Sequence, residues 1–278
     1  MKKSALDIKT SGVSFRTTAI LATAFALTSA VQAALLINED FEAPAWSDGA
    51  VLTTTGTNGW GAGLNATSNG TVAISGAEAH NGTQSLFLLD NDTNNYSASA
   101  KHGLNETVEA GSLDFWIKKA PDYSVVNYRV DFGLGGGKAF DFVVYNPGAI
   151  TGSVGQGLYI RNASGEIVTG VSDTDAGFTA GNWNRLNISF DKVAGSLSVS
   201  LNSVTVLSLT AEQIGKITDL SVSSIAFNAG YGGGSQTAFY LDDVQFATPS
   251  NIPEPSTWAV FGGVAALAIA FWARRRFV

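Results

Sequence analysis

The chain has 278 residues, 16 Lys plus Arg against 23 Asp plus Glu, and a formal net charge of −7. It contains no cysteine, which excludes disulfides, thiol catalysis and thiolate metal sites. The basic residues cluster at the two ends: between Ala34 and Asn251 there are 9 basic and 21 acidic residues, so the body is strongly acidic and unsuited to binding nucleic acid.

The N-terminus has the pattern of an export signal. Lys2, Lys3, Lys9 and Arg16 precede an apolar, alanine-rich run from Thr17 to Thr28. Val31-Gln32-Ala33 then places small residues where signal peptidase reads them, so cleavage is expected after Ala33, making residues 1–33 a signal peptide.

The body, residues 34–247, reads as strands and turns. Leu35 to Glu42 opens as a strand; Trp46 to Gly70 is rich in Gly, Thr and Asn and reads as loop with short strand pieces. Thr71–Ser75 and Ser85–Leu89 are strands, the second introduced by the turn-forming His80-Asn81-Gly82. Asp90 to Asn95 is a polar loop. Leu113, Phe115 and Ile117 alternate with polar neighbours, as do Tyr128, Val130, Phe132 and Leu134. Gly135-Gly136-Gly137 turns the chain into a return strand, Phe140–Tyr145. Leu158–Arg161 and Glu166–Val171 flank a hairpin turn at 162–165. Leu186, Ile188 and Phe190 mark a strand, followed by Leu197–Leu201 and Val204–Leu209 paired across Asn202-Ser203. Ala211–Ile214 is one helical turn, and Leu220–Asn228 and Phe239–Phe246 are the last strands. Period-two patterning without a long helical period predicts an all-β, two-sheet β-sandwich.

The C-terminus is organised differently. A linker, 248–257, carries Pro253-Glu254-Pro255; an apolar run, 258–273, is bounded by Trp258 and Trp272; Arg274, Arg275 and Arg276 begin a basic tail, 274–278. The run is about three-quarters of the ~20 residues that span a bilayer comfortably, and Ser256 and Thr257 extend it. Flanking arginines favour the cytoplasmic side. Pro-Glu-Pro, a glycine-containing apolar run and an arginine cluster resemble the PEP-CTERM sorting signal of Gram-negative bacteria. That resemblance implies a transmembrane sorting helix, transient anchoring in the inner membrane, processing by an exosortase-type protease near Pro253, Glu254 and Pro255, and release to the cell surface or outside the cell.

A second resemblance covers most of the body. Glu39-Asp40-Phe41-Glu42, Gly82-Thr83-Gln84-Ser85-Leu86, Leu113–Ile117, Trp183-Asn184-Arg185-Leu186 with Phe190-Asp191, and Tyr240-Leu241-Asp242-Asp243-Val244 look like concanavalin A-like, laminin-G-type jelly rolls. The likeness implies a sandwich with neighbouring first and last strands, carbohydrate or protein binding as the commonest role, and often structural calcium.

Candidate sites follow. If the end strands adjoin, Asp40, Glu42, Asp242 and Asp243 converge and bind Ca²⁺, which takes 6–8 oxygen ligands; alternation admits only one of Asp242 and Asp243 unless a bulge intervenes. The alternative is solvated strand charge. Asp90-Asn91-Asp92-Thr93-Asn94 starts like an EF-hand loop, but Asn95 and Lys101 stand where Gly and an acid belong, so it reads as a plain turn. Trp46, Trp60, Tyr96, Tyr123 and Tyr231 lie in loop-like surroundings and are the candidates for stacking on sugar rings; Trp116 and Trp183, on strands, are assigned to the core. Neither histidine lies in an H-E-x-x-H, and there is no G-x-S-x-G elbow. Glycosidases of the resembling fold carry paired acids as E-x-D-x-x-E, which is absent here. The expectation is an exported, non-catalytic protein binding extracellular polysaccharide; a structural matrix protein and a glycoside hydrolase or lyase are the alternatives.

Overall fold

The computed structural model describes residues 34–249 apart from 54–55, 57, 64–69, 92–97, 122–126, 146–156, 180 and 231–235. The strands are β1 (Leu35–Glu39), β2 (Trp60–Ala62), β3 (Gly70–Ser75), β4 (Ser85–Asp90), β5 (Ala98–Val108), β6 (Ala110–Lys119), β7 (Asn127–Leu134), β8 (Gly137–Tyr145), β9 (Gly157–Asn162), β10 (Ile167–Ser172), β11 (Asn184–Asp191), β12 (Ser196–Leu201), β13 (Val204–Ser208), β14 (Val222–Ala229) and β15 (Thr237–Ala247). Two single-turn helices, α1 (Asp173–Ala176) and α2 (Ala211–Ile214), interrupt them. Among the described residues no helix is long and apolar enough to cross a membrane. The signal peptide, the Pro-Glu-Pro motif and the apolar run lie outside the described residues.

The strands form two antiparallel sheets. Sheet A has the order β13-β12-β11-β6-β15-β4-β3, with β1 also on β15; sheet B has the order β10-β9-β8-β7-β14-β5-β2. The first and last strands are therefore neighbours, as a jelly roll requires: Glu39 stands opposite Val244 and Leu35 opposite Ala247. Side chains alternate faces along a strand, so Leu113, Phe115 and Ile117 of β6, Leu186, Ile188 and Phe190 of β11, and Phe140, Phe142 and Val144 of β8 all point between the sheets and are buried there. β15 changes phase once. Phe239 and Leu241 face inward, then Val244 and Phe246, because the register shifts between Asp242 and Gln245 and Asp243 takes a positive φ of 48°.

Turn chemistry closes the hairpins. Asn202 and Ser203 both have positive φ (50° and 70°), the twist-compatible two-residue turn between β12 and β13. The helical turn at 211–214 is capped reciprocally by Thr210 and Gln213. One strand escapes the sequence pattern. β5 runs ASAKHGLNETV, with Ala98, Ala100 and Val108 its buried apolar members, and it is secured by pairing with β14 on one side and β2 on the other.

Candidate functional site

The site is built on the outer face of sheet A, where the strand ends meet the 80–84 turn. β1 ends at Glu39, and Phe41 takes a positive φ of 55°, so strand alternation does not extend to Asp40 and Glu42. Asp40 turns back to accept the N–H of Glu42. Glu42 instead reaches the turn, accepting the N–H of Thr83 at 2.6 Å and of Gln84 at 2.7 Å on Oε1, and the Thr83 hydroxyl on Oε2. From the other side, Asp242 Oδ2 accepts the N–H of His80 at 2.8 Å and of Asn81 at 3.3 Å, while Oδ1 accepts the N–H of Asp243. The first and last strands thus grip one turn by its backbone donors. Gly82 takes a positive φ of 72° between them, which L side chains rarely adopt, and a Cβ there would crowd the Glu42 carboxylate.

The two carboxylates differ electrically. Asp242 is fully buried, and desolvation lifts its carboxyl to about 6, against hydrogen bonds from His80, Asp243 and Asn81 that favour the charged form. For Glu42 desolvation also acts upward, but hydrogen bonds from Gln84 and Thr83 together outweigh it and hold the carboxyl below its usual range. The neighbouring Asp243 carboxylate adds to the upward push on Asp242.

The turn delivers His80 to the sheet surface. Its ring stacks on Trp116 at 3.6 Å with 14° between planes, Trp183 meets it edge-on at 5.8 Å, and Nδ1 lies 2.8 Å from Asp243 Oδ2. Both tryptophans are half-buried. Trp183 rests on an outer-face apolar cluster of Ala120, Ala238 and Tyr240. Directly across from Trp116 on β11 stands Arg185, whose Nε donates to Asp114 at 2.8 Å; Asn187 Nδ2 donates to the other Asp114 oxygen at 3.1 Å. These three residues, with Ser200 and Ser203, line an open recess of about 250 Å³. Half-exposed indole beside amide, carboxylate and guanidinium groups held in fixed positions suits a polyhydroxylated ring: the ring's apolar face stacks and its hydroxyls hydrogen-bond.

This reverses the sequence assignment of the tryptophans. Trp46 is 4% exposed and Trp60 0% exposed, both in the core and neither able to meet a sugar. Trp46 packs on Phe41 and donates Nε1 to Glu39 at 2.8 Å; Trp60 packs on Phe41, His102 and Phe227. A glycine-rich segment around an aromatic is as well explained by the aromatic plugging the core as by exposure. Trp116 and Trp183, assigned to the core, are on the surface. The signal was present: with Leu113, Phe115 and Ile117 inward, alternation sends Trp116 outward. Tyr96, Tyr123 and Tyr231 lie outside the described residues, as do Ala33, Pro253, Glu254, Pro255 and Arg274 to Arg276.

The four acids do not converge on a common point. Asp40 caps its own turn, Asp243 pairs with His80, and only Glu42 and Asp242 meet, through the 80–84 turn; among the described residues no three acidic or histidine side chains cluster as metal ligands.

Sheet B carries a separate polar cluster on its outer face. Asp141 and Arg161 face each other in register and are fully buried; Arg161 donates from Nε at 2.8 Å and from a terminal nitrogen at 2.6 Å, and Lys138 adds a third bond to Asp141. Next to it Arg129 pairs with Asp131 at 2.7 Å and Asn228 donates to the same carboxylate. Desolvation, only partly offset by Arg129, raises the Asp131 carboxyl. These groups answer one another, and their physical role is to pin strands β7, β8, β9 and β14 in register.

No family model and no curated protein matches the sequence. Among solved structures, the chain is similar to the cellulose-induced protein Cip1, with a TM-score of 0.54 and 15% identity over 76% of this chain and 96% of that one. It is also similar to a sialidase, with a TM-score of 0.50 and 10% identity over 79% of this chain, where it spans only 19% of the sialidase's length. Lectin II from Ulex europaeus matches at a TM-score of 0.46 and 9% identity over 77% of this chain and 99% of the lectin. These likenesses show the fold alone, a two-sheet jelly-roll β-sandwich.

Proposed function

We propose that this protein is an exported, non-catalytic polysaccharide-binding module whose contact surface is the outer face of sheet A. One observation carries the reading: Trp116 and Trp183 are half-exposed around His80, next to the Asp114–Arg185–Asn187 recess. Large aromatics kept partly accessible on an outer sheet face, and not packed between the sheets, mark a contact surface. The jelly-roll fold agrees with this reading at the level of architecture alone. The test is affinity electrophoresis of the purified protein through gels containing different bacterial and plant polysaccharides. Retardation by at least one of them, abolished by Trp183→Ala and by Trp116→Ala with melting temperature preserved for Trp183→Ala, is the expected result. No retardation in any gel, or unchanged retardation of both variants, refutes it. Sugar release from a retarding polysaccharide would instead establish the enzyme alternative.

Export and sorting belong to the same proposal and rest on the two ends of the sequence. Signal peptidase removes residues 1–33, the 258–273 segment holds the protein in the inner membrane, and an exosortase-type protease frees it near Pro253-Glu254-Pro255. Pro253→Ala combined with Pro255→Ala leaves the tail attached; intact mass and fractionation read the outcome, and normal maturation refutes the assignment.

Calcium is proposed at the 80–84 turn. Glu42 and Asp242 supply hard carboxylate oxygens on either side of that turn. Asp40 and Asp243 have no part in this revised site. The ion's contribution is structural, tying the first and last strands to one turn.

A further inference from the structure

The outer face of sheet A carries a line of polar side chains that passes through the recess beside the tryptophans and continues beyond it on both sides. Strand register places Thr205, Ser200, Asn187, Asp114, Gln245 and Asn38 opposite one another on β13, β12, β11, β6, β15 and β1. None of them is buried. The line crosses six adjacent strands without a lysine, arginine, glutamate or apolar residue in it. An ordinary solvated sheet face carries long charged side chains; this one carries short hydroxyls and amides, and several are already fixed. Ser200 and Thr205 share a hydrogen bond at 3.2 Å, Asn187 donates to Asp114 at 3.1 Å and to Ser112 at 2.9 Å, and Ser189 donates to Asn187 at 2.9 Å. The one charge in the line, Asp114, is answered by Arg185 at 2.8 Å. The surface is locally neutral, and side chains held in place lose little freedom when a ligand arrives.

Neighbouring strands lie about 4.8 Å apart, so six strands span roughly 24 Å. That spacing is close to the length of one pyranose unit in an extended chain. Resting on the polysaccharide-binding reading, we propose that the ligand is an extended, neutral, unbranched β-1,4-linked glycan lying across the strands along this line, one sugar per strand, and continuous with the Trp116–Trp183 platform one row away. Equatorial 1,4-linkage gives a flat ribbon whose hydroxyls project along both edges at the repeat of the sheet. An α-linked chain coils and cannot follow a flat row. A neutral polyol matches a line without net charge, whereas an anionic glycan has no cationic row to meet.

The test is calorimetric titration of the full-length protein with cello-, xylo- and chito-oligosaccharides, from disaccharide to hexasaccharide. One series binds with affinity rising about tenfold or more between disaccharide and pentasaccharide and then levelling off. Asn38→Ala and Gln245→Ala each lower hexasaccharide affinity by about fivefold and leave the disaccharide unchanged; both residues are exposed, so the variants fold. Binding of none of the series overturns the inference, as does equal affinity for disaccharide and hexasaccharide, or chain-length dependence unaltered in both variants. A concentration-dependent dimer in sedimentation that Gln245→Ala abolishes also overturns it, because the line then serves a second copy. If the protein binds only branched or α-linked polysaccharide and still depends on Trp183, the ribbon inference falls alone. If it binds no polysaccharide at all, the proposed function falls with it.

Discussion

Asp242 makes the stability of this protein depend on pH in an unusual direction. Its carboxyl is fully buried beneath the 80–84 turn and is raised from 3.8 to about 6. The folded state therefore holds a proton between about pH 4 and 6 that the unfolded chain has released. The corresponding stability is fully present below the unfolded value and is lost as pH rises through about 6. At ~1.4 kcal/mol per tenfold change in proton affinity, the loss is about 3 kcal/mol between pH 4 and 7. The perturbation is Asp242→Asn, which removes the titration. That change also replaces the oxygen that accepts the Asp243 N–H, so absolute stability falls at every pH and only the slope is diagnostic. The assay is urea unfolding of both proteins from pH 4 to 7 in the presence of chelator, plotted as the difference between them. Groups common to both cancel. The unmodified protein loses up to about 3 kcal/mol more than the variant across this range. Parallel curves would refute the claim that a desolvated Asp242 is ionised at neutral pH at the expense of stability.

The proposed calcium ion would act on the same carboxylate. At a hundredfold excess over Kd, an ion that binds only the folded state adds about 2.7 kcal/mol, and the melting temperature rises by several degrees in calorimetry; Glu42→Gln and Asp242→Asn abolish the rise, Asp40→Ala does not, and no rise at millimolar calcium refutes the proposed ion. Asp141→Ala removes two charge-assisted hydrogen bonds from the buried Arg161 and costs about 3–5 kcal/mol by chemical denaturation, with a cost below ~1 kcal/mol showing that the pair is solvated. Trp60→Ala costs about 3–5 kcal/mol because it empties a core position between Phe41, His102 and Phe227. A Trp60→Ala protein that melts normally but no longer binds polysaccharide would restore its assignment as a ligand residue.

The sequence by itself determined the class of fold. Alternation at 113–117, 128–134, 186–190 and 197–201 wrote out inward and outward faces, and the turn residues at 135–137 and 202–203 placed hairpins between strands, because these signals are local and have period two. It failed at β5, where Lys101, Gly103, Asn105 and Glu106 dilute the pattern; that strand exists because β14 and β2 supply hydrogen bonds on both sides. The adjacency of the first and last strands, and with it the nearness of Glu42 and Asp242, came from the jelly-roll resemblance and not from any local pattern, and the structure bears it out. What the sequence could not decide was what those acids meet. Glu42 lies beyond the end of β1 and Asp242 lies at a bulge, so neither obeys alternation, and the partner they share is a turn some 40 residues from one and 160 from the other. The tryptophans show the same limit. Burial is a property of both sheets closing over a residue: Trp60 sits on a three-residue strand that the fold tucks against Phe227, and Trp183 precedes a core strand yet is left on the outer face. Local sequence assigns a side chain to one side of its strand; only the packed sandwich determines which sides face each other and which are left to water.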